Sequence, residues 1–397
     1  MSVETPRLSG TPFMRYPAGI PRCKRRWPGK WKRPIVAAPG VKPALRIPVF
    51  ALLWATVPAG SAAEIAPGLG LSGYLEAYVS GDPARPPDNT RQGPFFNFSR
   101  VNEVAVNLAL VEVTLDRPNA RGRVGLMAGT YPQANLAAEP PALRNLYEAS
   151  VGVKLGDTHD VWLDAGVMPS HIGFESAIGA DNWTLTRSIS AENSPYYMAG
   201  ARLGWTRGDR QWSAAAVVLN GWQRMARPDG VTLPSWGTQV TWTPVTRVTV
   251  NWSTFSGYER PGQLRTFSNL YAQVPLGERW DLTAGFDMGR ESRAQGDGHN
   301  HWSTVTLVTR VRLDEHSALG ARVERYADPE GVVVTIGGKP GFVARGVSLN
   351  YDRRLRDDLL WRVELRHVGS RDPVFADADG SPSRRNVFLT TSLSIRF

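Results

Sequence analysis

After about residue 70, apolar and polar side chains alternate with period two along almost the whole chain, and the connections between these runs alternate between long and short. Leu71, Gly73, Leu75, Ala77 and Val79 interleave with Ser72, Tyr74, Glu76 and Tyr78, and Leu282, Ala284, Phe286 and Met288 with Thr283, Gly285 and Asp287. Val305, Leu307, Thr309, Val311 and Leu313 repeat the pattern against Thr304, Thr306, Val308, Arg310 and Arg312. In a strand, period two sends the two sets to opposite faces. Sixteen strands are predicted, over 71–80, 100–115, 121–131, 146–156, 160–168, 196–207, 211–220, 236–243, 247–255, 265–275, 279–288, 302–313, 316–326, 342–352, 358–368 and 386–397. The long connections are 81–99, 132–145, 169–195, 221–235, 256–264, 289–301, 327–341 and 369–385, with short turns between them.

This rhythm belongs to an up-and-down sheet, whereas a soluble sandwich needs Greek-key crossings. If the apolar face meets lipid, the sheet must close, because unpaired backbone groups in hydrocarbon cost several kcal/mol each. The expectation is therefore an all-β fold: a transmembrane antiparallel up-and-down β-barrel of about sixteen strands, within a range of twelve to eighteen. Its polar inner face reconciles a membrane location with a mean hydropathy of −0.27. No run of 18 apolar residues offers a transmembrane helix. Tyr74, Trp162, Trp205, Trp212, Trp242, Trp280 and Trp302 lie near strand ends and suit interfacial aromatic girdles.

The net charge of +10 suggests a nucleic-acid partner until it is located. Residues 1–63 hold eleven basic side chains and one acid, leaving 35 of each sign in the other 334 residues. A formally neutral body offers no global field for nucleic acid. The basic segment ends at Arg46, an apolar run covers Ile47 to Val57, and Pro58-Ala59-Gly60-Ser61-Ala62-Ala63 follows. That is the pattern of a cleavable signal peptide. It divides the chain into a leader, 1–63, with Met14 as a candidate alternative start, and a single barrel domain, 64–397. The one cysteine, Cys23, lies in the leader, so the mature chain is expected to form no disulfide or thiolate metal site.

At the other end Leu389, Thr391, Leu393, Ile395 and Phe397 share one strand face, and a terminal aromatic residue is typical of the signal read by the barrel assembly machinery. Leu393, Ile395 and Phe397 are the candidate assembly signal. Several phrases, in order, resemble the "putative beta-barrel porin-2, OmpL-like" family. They are Gly73-Tyr74-Leu75-Glu76-Ala77-Tyr78, the stretch Asp164 to Glu175 (DAGVMPSHIGFE), Ala191-Glu192-Asn193-Ser194-Pro195-Tyr196-Tyr197, Leu219-Asn220-Gly221-Trp222 and Trp361-Arg362-Val363-Glu364-Leu365-Arg366. The resemblance covers roughly 70–397 and implies a bacterial outer-membrane porin, a water-filled channel for passive diffusion of small solutes.

Selectivity in such a channel comes from charges facing the lumen and from loops folded into it. Alternation assigns Glu76, Glu148, Lys154, Asp164, Arg202, Asp287, Arg310, Arg312, Arg322, Glu324, Arg362, Glu364 and Arg366 to the lumen. An arginine on the lipid face at mid-bilayer would cost ~2–4 kcal/mol. Arg310, Arg312, Arg322, Arg362 and Arg366 make one wall basic, relieved by Glu324 and Glu364. The longest connection, 169–195, carries His171, Glu175, Asp181, Arg187 and Glu192 and is expected, by analogy with general porins, to fold inward as a constriction, its acids facing the arginine wall. Asp297, His299 and His301 are a weak metal pattern, and Asp297-Gly298 reads as a turn. The six histidines lie in no nucleophile motif, so a hydrolase on a barrel scaffold ranks below a channel, and an adhesin or structural barrel is the other alternative. No cofactor is expected. The partners expected are outer-membrane lipid, the assembly machinery, small solutes and two further copies in a homotrimer.

Overall fold

The computed structural model describes residues 63–397 except 87, 337 and 338, and the leader 1–62 lies outside the described residues. Sixteen antiparallel strands form the wall. They are β1 Leu69–Gly81, β2 Val104–Asp116, β3 Ala120–Ala128, β4 Leu146–Lys154, β5 Asp160–Pro169, β6 Tyr197–Thr206, β7 Trp212–Leu219 and β8 Ser235–Trp242. The second half is β9 Thr249–Arg260, β10 Gln263–Pro275, β11 Trp280–Ser292, β12 His299–Arg312, β13 Ser317–Asp328, β14 Phe342–Arg354, β15 Leu359–Ser370 and β16 Arg385–Arg396. Each strand pairs with its neighbours in sequence, and β16 pairs with β1 from Tyr74↔Arg396 to Gly81↔Leu389. Phe397 carries the seam one step further: Gly73 N–H donates to its carbonyl at 2.6 Å, and its own N–H donates to the Gly73 carbonyl at 3.1 Å. The sheet has no free edge, as a lipid setting demands.

Alternation reappears as two faces. Leu75, Val111, Val151, Leu270, Leu307, Leu349 and Leu389 are exposed on the outside, while Glu76, Asp287, Arg322, Glu324 and Glu364 are buried inside. Trp205, Trp212, Trp242 and Trp280 are outward and exposed, as a girdle requires. The others are corrections: Tyr74 and Trp302 are buried inside the wall, and Trp162 shares the inward face of Asp164, with the Arg121 guanidinium 4.3 Å above its ring.

The order of long and short connections holds, with one exception in length. Residues 256–264 are not a loop, because β9 and β10 run on to a turn at Pro261-Gly262. Ser256, Gly257, Tyr258 and Glu259 read as loop because they have left the level where the outer face must be apolar. Their ladder continues because inward residues still pack. The Trp222 ring, from the following loop system, sits 5.0 Å from Phe255 and 4.8 Å from Phe267, edge to face. The long-loop half of the lumen is filled in this way. One apolar cluster joins Trp222, Phe255, Phe267 and Trp302, and another joins Phe95, Ile189, Tyr326, Phe342 and Phe375. Two short helices, Thr130–Asn135 and Ile189–Glu192, interrupt loops expected to be irregular.

Candidate functional site

The connection between β5 and β6, residues 170–196, runs inside the barrel and is fastened to the far wall. Thr184, Leu185, Thr186, Arg187, Ser188 and Ile189 are all buried. Glu364 on β15 accepts from the Thr186 N–H at 2.5 Å and from its hydroxyl at 2.9 Å. Arg322 on β13 donates to the Thr184 hydroxyl, the Thr186 carbonyl and the Thr186 hydroxyl at 2.8, 2.5 and 2.9 Å. Arg322 also meets Glu364 at 3.0 Å and Glu324 at 3.4 Å. Arg366 donates to the Arg187 carbonyl at 2.7 Å and to Glu324 at 2.6 Å, and Glu324 accepts the Ile189 N–H at 2.6 Å. Arg362, held by Asp352 at 2.6 Å, donates to the carbonyls of Gly179 and Asn182 at 2.7 and 2.9 Å. Wall charges thus satisfy loop backbone groups that a buried loop would otherwise leave orphaned.

The loop also clamps itself. Arg187 donates to the carbonyls of Ser176, Leu185 and Ala177 within 2.6–2.9 Å. Glu175 accepts the Ser188 N–H, and the Ser188 hydroxyl caps the helix Ile189–Glu192 by accepting from Ala191 N–H at 3.1 Å. Glu192 accepts from Phe96 N–H at 2.9 Å, tying this loop to the first one, and burial pushes its carboxyl up to about 6. His171 Nε2 meets the Thr254 carbonyl at 2.8 Å, and Asp181 pairs with Arg396. Glu76 faces Gly179, where a Cβ would lie 2.3 Å from its carboxylate, and Asp287 meets the Ser190 hydroxyl.

Inward glycines mark the loop's footprint. A Cβ at Gly285 would lie 2.6 Å from the Phe174 ring, and one at Gly320 would lie 2.5 Å from the Trp183 carbonyl. These positions are on the polar, inward register, where a glycine offers neither charge nor bulk. That pattern was available in the sequence and was not used.

All thirteen lumen candidates lie on inward registers, but they divide into two groups. Arg322, Glu324, Arg362, Glu364 and Arg366 are covered by the loop and paired, so the expected arginine wall confronting loop acids across water is absent from this part of the barrel. Glu175 and Glu192 likewise spend their oxygens on backbone N–H groups. Arg312 pairs with Asp281, as does Arg247, while Arg310 has no hydrogen bond or ion pair among the described residues.

Open space lies on the other side, against β3 to β8. A cavity of about 320 Å³ is lined by Arg121, Arg123, Glu148, Asp164, Arg202 and His171, among others. Asp164 grips Arg121 through two bonds of 2.7 and 2.6 Å and stands 3.7 Å from Arg202. Lys154 lies on the same inward register at the short-turn end of β4. A second cavity, about 260 Å³, shares Pro169 and Ser170 with the first and is lined by Tyr131, Tyr147, Tyr196, Tyr197 and Tyr271. Sequence reasoning missed Arg121 and Arg123, although the run Arg121-Gly122-Arg123 places both on one face. His299 and His301 stay outward and exposed, and among the described residues no group of three or more ligating side chains is placed to hold a metal.

A closed sixteen-stranded barrel with an apolar exterior, a charged interior and a loop folded inward defines the outer-membrane porins. The chain belongs to the family described as "Putative beta-barrel porin-2, OmpL-like", whose model matches residues 68–397. No curated protein sequence matches it. Among solved structures it is similar in fold to an anion-selective porin from Comamonas acidovorans, at 10% identity and TM-score 0.55, covering 83% of this chain and 99% of that one. OmpF of Salmonella typhi, in complex with daunomycin, is similar at 11% identity and TM-score 0.54, covering 83% and 97%. OmpT of Vibrio cholerae in a trimer form is similar at 7% identity and TM-score 0.52, covering 83% and 99%.

Proposed function

We propose that this porin carries small solutes by passive diffusion, that loop 170–196 sets its bore, and that Arg121, Asp164 and Arg202 dominate the field beside that loop. The observation that carries the reading is the fastening of the loop across the lumen to Arg322, Glu324, Glu364 and Arg366. An immobile loop fixes the cross-section that a solute meets. The open side carries both signs of charge, so its ion preference depends on how Asp164 divides itself between Arg121 and Arg202.

The same reading places the short turns and both ends of the barrel at the periplasmic face and the long loops outside. The leader 1–63 directs export, and Leu393, Ile395 and Phe397 present the assembly signal. The trimer form of the similar Vibrio OmpT supports a homotrimer here.

Planar-bilayer recordings test the proposal. Deleting 176–190 is expected to raise single-channel conductance, and conductance equal to wild type would remove the loop from the conduction path. Arg322→Met, which unfastens the loop without shortening it, is expected to add open-channel noise.

A further inference from the structure

The outer face of β13 to β16 breaks its own apolar rule along one row. Arg325 lies directly opposite Arg345, Arg345 opposite Gly369, and Gly369 opposite Arg385. The three arginines point outward and are exposed. Among the described residues none of them makes a hydrogen bond or an ion pair. Like charges directly opposite on neighbouring strands, about 5 Å apart, repel. Nothing inside the protein requires this repulsion, since the inward neighbours Glu324 and Arg366 are already satisfied.

The row has a definite level. Arg325 is three residues short of the long-loop end of β13, and Arg345 is the fourth residue of β14. Toward the short turns the same outer face becomes apolar at once, with Val323 58%, Val347 49%, Leu349 59% and Leu365 53% exposed. The arginines therefore sit where hydrocarbon gives way to headgroups, the depth at which outward cations are tolerated. Gly369 leaves the floor between Arg345 and Arg385 bare, and a groove of about 530 Å³ opens over Arg325, Arg345, His367 and Gly369. Arg371 at its rim is paired with Asp372 at 2.9 Å.

We propose that this row is a binding site for the phosphorylated headgroup of an outer-leaflet lipid. A phosphate sits between Arg325 and Arg345, a second reaches toward Arg385, and the acyl chains lie along Val323, Val347 and Leu349. Planar guanidinium groups match phosphate oxygens in paired bonds, and an anion between them turns the repulsion into attraction. The site rests on the orientation proposed above and is independent of the conduction path, so channel activity and lipid binding can fail separately.

The test uses the full-length barrel in detergent, with diphosphoryl lipid A as probe and native mass spectrometry as readout. Arg325→Gln with Arg345→Gln is expected to weaken binding about tenfold, the loss of one charge-assisted contact, while Arg290→Gln, outside the row, leaves it unchanged. Millimolar inorganic phosphate is expected not to compete. Equal binding by wild type and double variant would overturn the site. Competition by free phosphate at those concentrations would make it a simple anion site and overturn the lipid assignment. A change of oligomeric state in the double variant would make the row a subunit interface and overturn it equally. If the double variant does not assemble, wild type is compared with intact and dephosphorylated lipid A, and equal affinity for the two is the overturning result.

Discussion

Arg322 on β13 and Glu364 on β15 meet at 3.0 Å across an intervening strand, and both hold Thr186 of the loop inside the lumen. Removing one partner of a buried pair strands the other and costs about 3–5 kcal/mol. Arg322→Met and Glu364→Met are each expected to lower the urea midpoint of the folded barrel. The double variant is expected to recover much of that loss, because no lone charge remains, yet to keep the noisy conductance of an unfastened loop. A double-mutant cycle read by both unfolding and conductance separates wall stability from loop seating.

Asp164 neutralises Arg121 and partly Arg202 at the edge of the open cavity. Asp164→Asn is expected to shift reversal potential toward anion preference, and Arg121→Gln with Arg202→Gln toward cation preference. Both shifts should shrink in 1 M salt, where the Debye length is about 3 Å. Unchanged reversal potential in both variants would move the selective region elsewhere.

Gly285 lies under Phe174, 2.6 Å from where a Cβ would stand. Gly285→Val is expected to displace the start of the loop and to cost about 1–3 kcal/mol, as overpacking does. Its conductance should change with it, whereas Gly122→Val, beside the open cavity, should leave the loop in place.

Phe397 closes the seam with two backbone bonds and lays its ring over Gly73, within 2.4 Å of a Cβ placed there. Deleting Phe397 is expected to lower the yield of heat-modifiable, folded barrel on gels. Gly73→Ala should cost less, because the ring is free to swing aside.

Glu192 titrates at about 6 in the folded chain against 4.5 for the free side chain, raised by burial. The native state therefore takes up a proton more readily than the unfolded chain. The stability this contributes is full below 4.5 and is lost as pH rises through about 6. The unfolding midpoint should rise between pH 7 and pH 5, and Glu192→Gln should flatten that rise.

The wall was legible because the bilayer enforces period two wherever a strand crosses it, and sixteen runs and their order could be read directly. Beyond the bilayer that constraint lapses, and β9 and β10 were cut short at Ser256 and Arg265 for that reason. Inward registers were legible too, since charge fixes them. What alternation could not say is which inward charges meet water. Arg322 and Arg202 carry the same pattern in sequence, yet one is sealed beneath the loop and the other borders the cavity. That difference depends on contacts 136 to 180 residues apart in the chain, such as Thr186 with Arg322 and with Arg366.

Those separations also dictate an order of events. The loop lies between β5 and β6, but its anchors are on β13 and β15, so it cannot dock until nearly the whole wall exists. Long-range contacts of this kind form late. In a core that collapses from water, four interlocked charges such as Arg322, Glu324, Glu364 and Arg366 would have to shed their hydration before finding one another. Here the lumen keeps them wet while the strands assemble around it, and the loop arrives last, exchanging water for its own carbonyls and amides.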